Sequence, residues 1–93
     1  MLYHIEYTSK FKKQHKLLKK QRKNLNKLYT VIEKLANGEQ LDEKYLNHKL
    51  FRDKYYVDCY ECHIEPDWLL IYKYYENELV LLIVATGSHS EVF

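Results

Sequence analysis

Proline and glycine are scarce in this chain: its 93 residues include one proline and two glycines. Flexible linkers and disordered segments are rich in these residues, so the composition excludes a chain built mainly of such segments. No apolar run reaches the roughly 18 residues that a membrane-spanning helix needs. Residues 1–9 alternate between polar and apolar side chains and lack the continuous apolar stretch of a signal peptide, which predicts a cytoplasmic protein with no membrane contact.

Cysteine is also scarce, but the two cysteines form a suggestive pattern. Cys59, Cys62 and His63 match the C-x-x-C-H pattern of covalent haem attachment, and C-x-x-C alone can bind zinc. The segment has the composition of a strand, in which positions 59 and 62 point to opposite faces. There is no second C-x-x-C, and the only methionine is Met1. We therefore predict that the chain uses no metal and no other cofactor.

The remaining composition is that of an ordinary globular protein, with 46% hydrophobic and 30% charged residues. A chain of this length can bury roughly two-thirds of the surface that its unfolded form exposes, which is enough for one modest core. We therefore expect residues 1–93 to form a single domain.

The net charge of +2 conceals an asymmetry along the chain. Residues 10–34 contain ten basic residues and one acidic residue, a net charge of 10 − 1 = +9. The rest contains five basic and twelve acidic residues, a net charge of 5 − 12 = −7. Such a basic segment is typical of a polyanion-binding surface, although a lysine-rich helix face exposed to water has the same composition.

Hydrophobic periodicity predicts the order β-α-α-β-β-β, hence an α+β fold. Thr8 and Ser9 are suitable N-caps for the first helix, and Asn37-Gly38 ends the second. The two helices are expected to form a hairpin that packs on a sheet, and the last strand is expected to be buried on both faces. The predicted strands span residues 2–7, 55–65, 68–75 and 78–86, and the predicted helices span 10–20 and about 25–36.

Strand alternation separates the side chains of residues 60–65 into two sets. Tyr60, Cys62 and Ile64 form the predicted core set, so His63 is expected on the opposite, open face of the sheet. A surface histidine of this kind is often only structural. Here the turn at Pro66-Asp67 and the return of the chain to His89 are expected to bring further polar groups to the same place. Histidine titrates near neutral pH, so a His and Asp cluster can transfer protons in both directions.

Three segments together resemble the YafQ branch of the RelE/ParE toxin superfamily. The segments are Asn47-His48-x-Leu50, Glu61-Cys62-His63-Ile64-x-Pro66-Asp67-Trp68-Leu69-Leu70-Ile71-Tyr72, and Thr86-Gly87-Ser88-His89-Ser90-x-x-Phe93. The resemblance covers the whole chain and includes the size, the element order and the basic helical hairpin. It implies the RelE-like fold, in which two helices pack on one face of a curved, mostly antiparallel, four-stranded sheet.

The resemblance also implies a function. Members of this branch are toxins of type II toxin–antitoxin systems, which cut mRNA in the A site of the 70S ribosome. They do so without a metal: the 2′-hydroxyl of the RNA attacks the adjacent phosphate and leaves a 2′,3′-cyclic phosphate. The implied partners are a DinJ/RelB-like antitoxin, the ribosome with its mRNA, and operator DNA bound through the antitoxin complex.

Site residues carry over by position in the motifs. The resemblance implies proton transfer and orientation by His48, His63, Asp67 and His89, with the acid and the base unassigned. Trp68 and Phe93 would shape the site and contact RNA, although Phe93 could instead fill the core. The implied RNA-binding cations are Arg52, Lys12, Lys13, Lys16 and Lys19.

Two features depart from the family pattern. Ala85 stands where the family usually has an arginine that stabilises the transition state. Either the chain is a weak nuclease, or another cation (Arg52, Lys49 or Lys73) replaces the arginine, or the arginine was removed so that a toxic protein could be produced, which we favour. An arginine at position 85 is expected to reach the open face without entering the core. The second departure is the segment after Leu50, which lacks the family's glycines and makes the assignment of His48 weaker than that of His63.

An alternative function is a ParE-like or regulatory relative, which binds its antitoxin and DNA or a protein target without cutting RNA. Such a relative has no reason to gather His63, Asp67 and His89. A plain RNA-binding domain would explain the basic helices but not this cluster.

Overall fold

A computed structural model describes all 93 residues, which form one five-stranded mixed sheet with two helices packed on one face. No helix is long and apolar enough to cross a membrane. In chain order the elements are β1 (His4–Tyr7), α1 (Ser9–Lys20), α2 (Leu25–Ala36), a 3-10 turn (Glu43–Tyr45), β2 (His48–Lys49), β3 (Tyr60–Glu65), β4 (Trp68–Tyr75), a second 3-10 turn (Glu76–Glu78), β5 (Val80–Gly87) and α3 (His89–Val92).

The first long helix begins at a predicted cap, Thr8, and the second begins after Asn24. The Thr8 hydroxyl accepts a hydrogen bond from the Phe11 backbone N–H at 3.0 Å, and the Asn24 side chain accepts one from Asn26 N–H at 3.2 Å. After α2 the chain reverses through Gly38, whose φ of +73° lies in the left-handed region that glycine tolerates. The predicted helices, and the break between them, are confirmed.

The strand order in the sheet is β1-β5-β4-β3-β2. Strand β1 pairs with β5 in parallel, and all other pairs are antiparallel. The sheet therefore has five strands rather than the predicted four, because the two-residue strand β2 is too short to show an alternating pattern. The predicted strand over residues 55–65 begins only at Tyr60, since the backbone N–H groups of Tyr55 and Tyr56 donate to the Asp53 carboxylate in a local turn.

The main core lies between the helices and one face of the sheet, which we call the helix face. It is a cluster of 15 buried residues, to which α1 contributes Phe11 and Leu18. Strand β3 contributes Cys62 and Ile64 to it, as alternation predicts. The strand buried on both faces is β4 rather than β5: Leu69 to Tyr72 are at most 1% exposed. The explanation is the strand order, which gives β4 the central place.

The opposite face of the sheet, the open face, carries only a small apolar cluster. Its five members, which we call the back cluster, are Tyr56, Cys59, Ile71, Ala85 and Val92. They are contributed by the segment before β3, by β4 and β5, and by the four-residue helix α3. The rest of this face at the same end of the sheet carries titratable side chains, and these form the candidate site.

Candidate active site

A buried carboxylate lies at the centre of the candidate site. Pairing of β2 with β3 sets His48 opposite Glu61, and alternation along β3 puts His63 on the same face. The Nε2 atoms of His48 and His63 lie 3.6 and 3.4 Å from Glu61 Oε1, and Glu61 is only 7% exposed. Glu61 is not among the site residues that the sequence predicts. Two imidazoles that cover one carboxylate make it the centre of the group.

The remaining ring nitrogens also face acceptors. His48 Nδ1 lies 2.8 Å from the Leu46 carbonyl oxygen, and His63 Nδ1 lies 3.3 Å from the Pro66 carbonyl oxygen. An imidazole with an acceptor at each nitrogen donates two hydrogen bonds only when both nitrogens carry hydrogen. The group formed by His48, Glu61 and His63 is therefore a pair of oriented imidazoles around one carboxylate.

His89 is held by a different set of contacts. Strand β5 ends at Gly87, whose φ of +142° turns the chain into α3, and a Cβ at this position would lie 3.0 Å from Glu91 Oε1. The His89 backbone N–H donates to Asp67 Oδ1 at 3.2 Å. The His89 ring packs against the Phe93 ring, with centroids 5.0 Å apart. Asp67 therefore orients the start of α3, and the imidazole of His89 remains on the surface.

Strand register sets the distance between the two groups. Leu69 in β4 pairs with His63 on one side and with Gly87 on the other. Adjacent strands lie about 4.8 Å apart, so the backbones at His63 and Gly87 are about 10 Å apart. The structure thus brings His48, His63, Asp67 and His89 to one end of the sheet.

Two side chains outside the sequence-predicted set hold α3 in place. The buried Tyr56 hydroxyl donates to the Val92 carbonyl oxygen at 2.5 Å and also accepts a hydrogen bond from Lys10 of α1. Gln14, also on α1, accepts from the Thr86 backbone N–H at 2.8 Å and donates to the carbonyl oxygen of Glu91. Because these contacts span 36 to 77 residues of sequence, local sequence patterns contain no signal for them.

The predicted contact of Trp68 with RNA does not fit the structure, because Trp68 is not on the surface. Trp68 is 1% exposed and belongs to the main core on the helix face, where its indole N–H donates to the Thr86 hydroxyl at 3.0 Å. A register shift after His63 pairs Trp68 with Glu65, and Trp68 shares a face with Leu70 of the same strand. Phe93 is 48% exposed beside His89, so it does not fill the core and remains available to a ligand.

Ala85 is fully buried in the back cluster. The expectation that an arginine here would avoid apolar packing is therefore wrong: its side chain would have to pass between neighbours such as Tyr56 and Val92 to reach water. The proposed substitutes for the arginine lie elsewhere. Lys49 lies over the Phe51 ring, and Lys73 lies four residues along β4 from Leu69, about 13 Å at the usual rise of a strand.

The remaining predicted cations are on the surface. Arg52 is exposed in the irregular segment that precedes the back cluster. The four lysines of α1 are exposed as well, and none of them forms an ion pair; they are Lys12, Lys13, Lys16 and Lys19. They form a basic surface on α1, which packs against β5.

The two cysteines do not act together. Cys62 belongs to the main core and Cys59 to the back cluster, so they lie on opposite faces of the sheet. Burial raises the pKa of the Cys62 thiol from 9.0 to about 12 and also raises the pKa of Cys59. Both thiols are thus protonated at neutral pH and unreactive. No three His, Cys, Asp or Glu side chains are grouped so as to hold a metal ion.

Comparison with known proteins gives consistent matches over the whole chain. Residues 3–93 match the family described as the bacterial toxin of type II toxin–antitoxin systems, YafQ. The mRNA interferase toxin YafQ of Escherichia coli BL21-DE3 is 38% identical over 91 residues, which cover 96% of this chain and 94% of that protein. A metal-bound toxin from Helicobacter pylori has a TM-score of 0.90 with 42% identity, and the E. coli DinJ–YafQ complex has a TM-score of 0.86 with 35% identity. The matches cover 100% of both chains in the first structure and 98% in the second.

Proposed function

The chain belongs to the YafQ family of type II toxin–antitoxin toxins, and we propose that it is an endoribonuclease that cuts mRNA on the ribosome. One observation carries the proposal: three histidines and an aspartate lie at one end of the sheet, beside the exposed ring of Phe93. Cleavage of RNA through its own 2′-hydroxyl needs a proton acceptor, a proton donor and positive charge near the phosphate. These side chains can supply all three.

We assign the proton acceptor to His89. No acceptor lies against the nitrogens of its ring, so a neutral imidazole there is free to take the proton of the 2′-hydroxyl. The 2′-oxygen then attacks phosphorus, and the bond from phosphorus to the 5′-oxygen breaks. The ring of His63, which faces the Glu61 carboxylate and the Pro66 carbonyl, gives a proton to the departing 5′-oxygen. The products are a 2′,3′-cyclic phosphate and a free 5′-hydroxyl.

Positive charge on the phosphorane would come from His48. Its imidazole shares Glu61 with His63, and its other nitrogen faces the Leu46 carbonyl. This charge takes the place of the guanidinium that Ala85 lacks. An imidazole lacks the planar five-donor fork of a guanidinium, so we expect this chain to cut more slowly than relatives with arginine.

The basic surface of α1 would contact ribosomal RNA, and Phe93 would stack on a base of the bound mRNA. A DinJ-like antitoxin would bind and neutralise the toxin and would carry it to operator DNA; DinJ and YafQ of E. coli form a toxin–antitoxin complex. Ribosomes and their messages place the activity in the cytoplasm.

Primer extension on a translated message tests the proposal. We expect new 3′ ends within codons when the chain is added to a translation reaction, and none when the same RNA is incubated without ribosomes. The fragments should carry 2′,3′-cyclic phosphates. Toxicity without any RNA cleavage would instead support the ParE-like alternative.

A further inference from the structure

A cavity of about 610 Å³ opens beside His63, and His89 is not part of its lining. It lies between the start of α2, the turn at Glu43–Tyr45 and the turn that joins β3 to β4. Residues from three separate elements face it, among them Asn26, Lys44, Tyr45 and His63. None of these except His63 belongs to the acid–base set, so the cavity is a separate surface that shares one wall with the candidate active site.

We propose that this cavity binds the nucleotide next to the scissile phosphate and thereby sets base preference, an inference that rests on the proposed function. Continuity with His63 is the first support. A residue that donates a proton to a departing 5′-oxygen has the following nucleotide beside it, and His63 is part of the lining of this cavity. Its volume is within the range of about 300–1,000 Å³ typical of small-ligand sites.

The polar groups of the cavity suit a nucleotide. The side-chain amide of Asn26 has no hydrogen-bond partner within the protein, whereas the backbone of Asn26 is engaged in capping α2. An amide offers both a donor and an acceptor to the edge of a base. Lys44 forms no ion pair and lies over the Tyr45 ring, 5.2 Å from its centroid. A free ammonium beside an aromatic ring is an arrangement that can accept a phosphate and a base together.

Of the two lysines that face the cavity, Lys44 is the one available to a phosphate. Lys27 also faces the cavity, but its ammonium is bound by the Glu65 carboxylate at 2.9 Å. Lys27 and Glu65 neutralise each other on one wall of the cavity, so Lys44 is the lysine whose charge is not neutralised there. The remaining wall is apolar and includes Ile64 and Pro66. A base would therefore find an apolar floor, an amide at its edge and a cation near its phosphate.

The test is direct binding of a short single-stranded RNA with 2′-O-methyl groups throughout, which the enzyme cannot cleave, followed by fluorescence anisotropy. The double variant Asn26→Ala with Lys44→Ala should bind about tenfold more weakly, because it loses a charged and a neutral hydrogen bond. The matched control is Asn77→Ala with Lys54→Ala, which removes the same residue types from exposed positions outside the cavity and outside the basic segment, and should bind like the unaltered chain.

Binding of RNA homopolymers of each of the four bases tests base preference directly. The unaltered chain should rank them unequally, and the double variant should bind them more evenly. Equal weakening by the double variant and its control, or no binding by the unaltered chain, would overturn the inference. The proposed function fails separately: a chain that binds RNA through the cavity but leaves translated messages intact would not be an mRNA interferase.

Discussion

The same strands contribute side chains to both faces of the sheet, and these side chains have different roles on the two faces. On β3, Cys62 and Ile64 enter a cluster of 15 buried residues, while Glu61 and His63 between and beside them face the opposite side. The helix face is closed by α1 and α2, so its residues contribute to stability. The open face has only the five residues of the back cluster to hold it, so its polar side chains remain available for chemistry. Because side chains alternate along β3, this strand contributes core residues to one face and candidate site residues to the other.

Trp68→Ala should have the largest effect on the helix face. Removing a fully buried indole costs about 3–5 kcal/mol, a large part of the 5–15 kcal/mol that stabilises a typical domain. Urea denaturation should therefore show a midpoint shifted far down or no folded baseline at all. The matched change on the open face, Phe93→Ala, should cost about 1 kcal/mol or less, since Phe93 is 48% exposed. Equal losses would remove the distinction between the faces.

Charge reversal on α1 tests whether the outer surface of the helices serves RNA. With Lys12, Lys13, Lys16 and Lys19 changed to Glu, co-sedimentation with ribosomes should fall steeply, and the slope of log affinity against log salt should drop by about three to four. Thermal unfolding should hardly change, because all four side chains are exposed. Lys34→Glu on α2 is the control. Unchanged sedimentation would show that the lysines are only a solvated face or serve the antitoxin.

Ala85→Arg should lower the stability of the fold and raise the rate of RNA cleavage. Forcing a long side chain into the back cluster should cost about 1–3 kcal/mol in urea denaturation. If its guanidinium emerges near the phosphate, cutting of translated mRNA should rise about tenfold or more. Ala85→Met is the matched control, because it adds bulk without charge and should lose stability with no gain in rate. Strong cutting by the unaltered chain, with no gain from arginine, would mean that the histidines supply enough charge.

The buried thiol of the helix face predicts alkaline sensitivity. Burial raises the pKa of Cys62 from 9.0 to about 12 and that of Tyr74 from 10.0 to about 12. The folded protein therefore holds these protons more tightly than the unfolded chain does. The resulting stabilisation is complete below pH 9.0 and is lost as the pH approaches 12. Cys62→Ala should flatten the fall in urea stability across this range more than Cys59→Ala. Identical curves for both variants would assign the sensitivity to the tyrosines.

Sequence patterns predicted most of the fold because its elements are locally encoded. The helix cap at Thr8 and the alternation of β3 need only neighbouring residues. Trp68 was misplaced because its nearness in sequence to Asp67 outweighed the alternation of β4, which puts it on the helix face. The central place of Glu61 depends on pairing with the two-residue strand β2, and the support of α3 by Tyr56 depends on contacts far apart in sequence. Neither the position of Glu61 nor the support of α3 can be predicted from neighbouring residues in the sequence.

His63→Ala tests the separation of stability from chemistry most directly, when cleavage and unfolding are measured on the same preparation. Loss of a proton-transfer group should reduce cutting of translated mRNA by about 100-fold to 10,000-fold. The free energy of unfolding should change by about 1 kcal/mol or less, because the ring lies outside both apolar clusters. Full cleavage by the variant, or its failure to fold, would contradict the account.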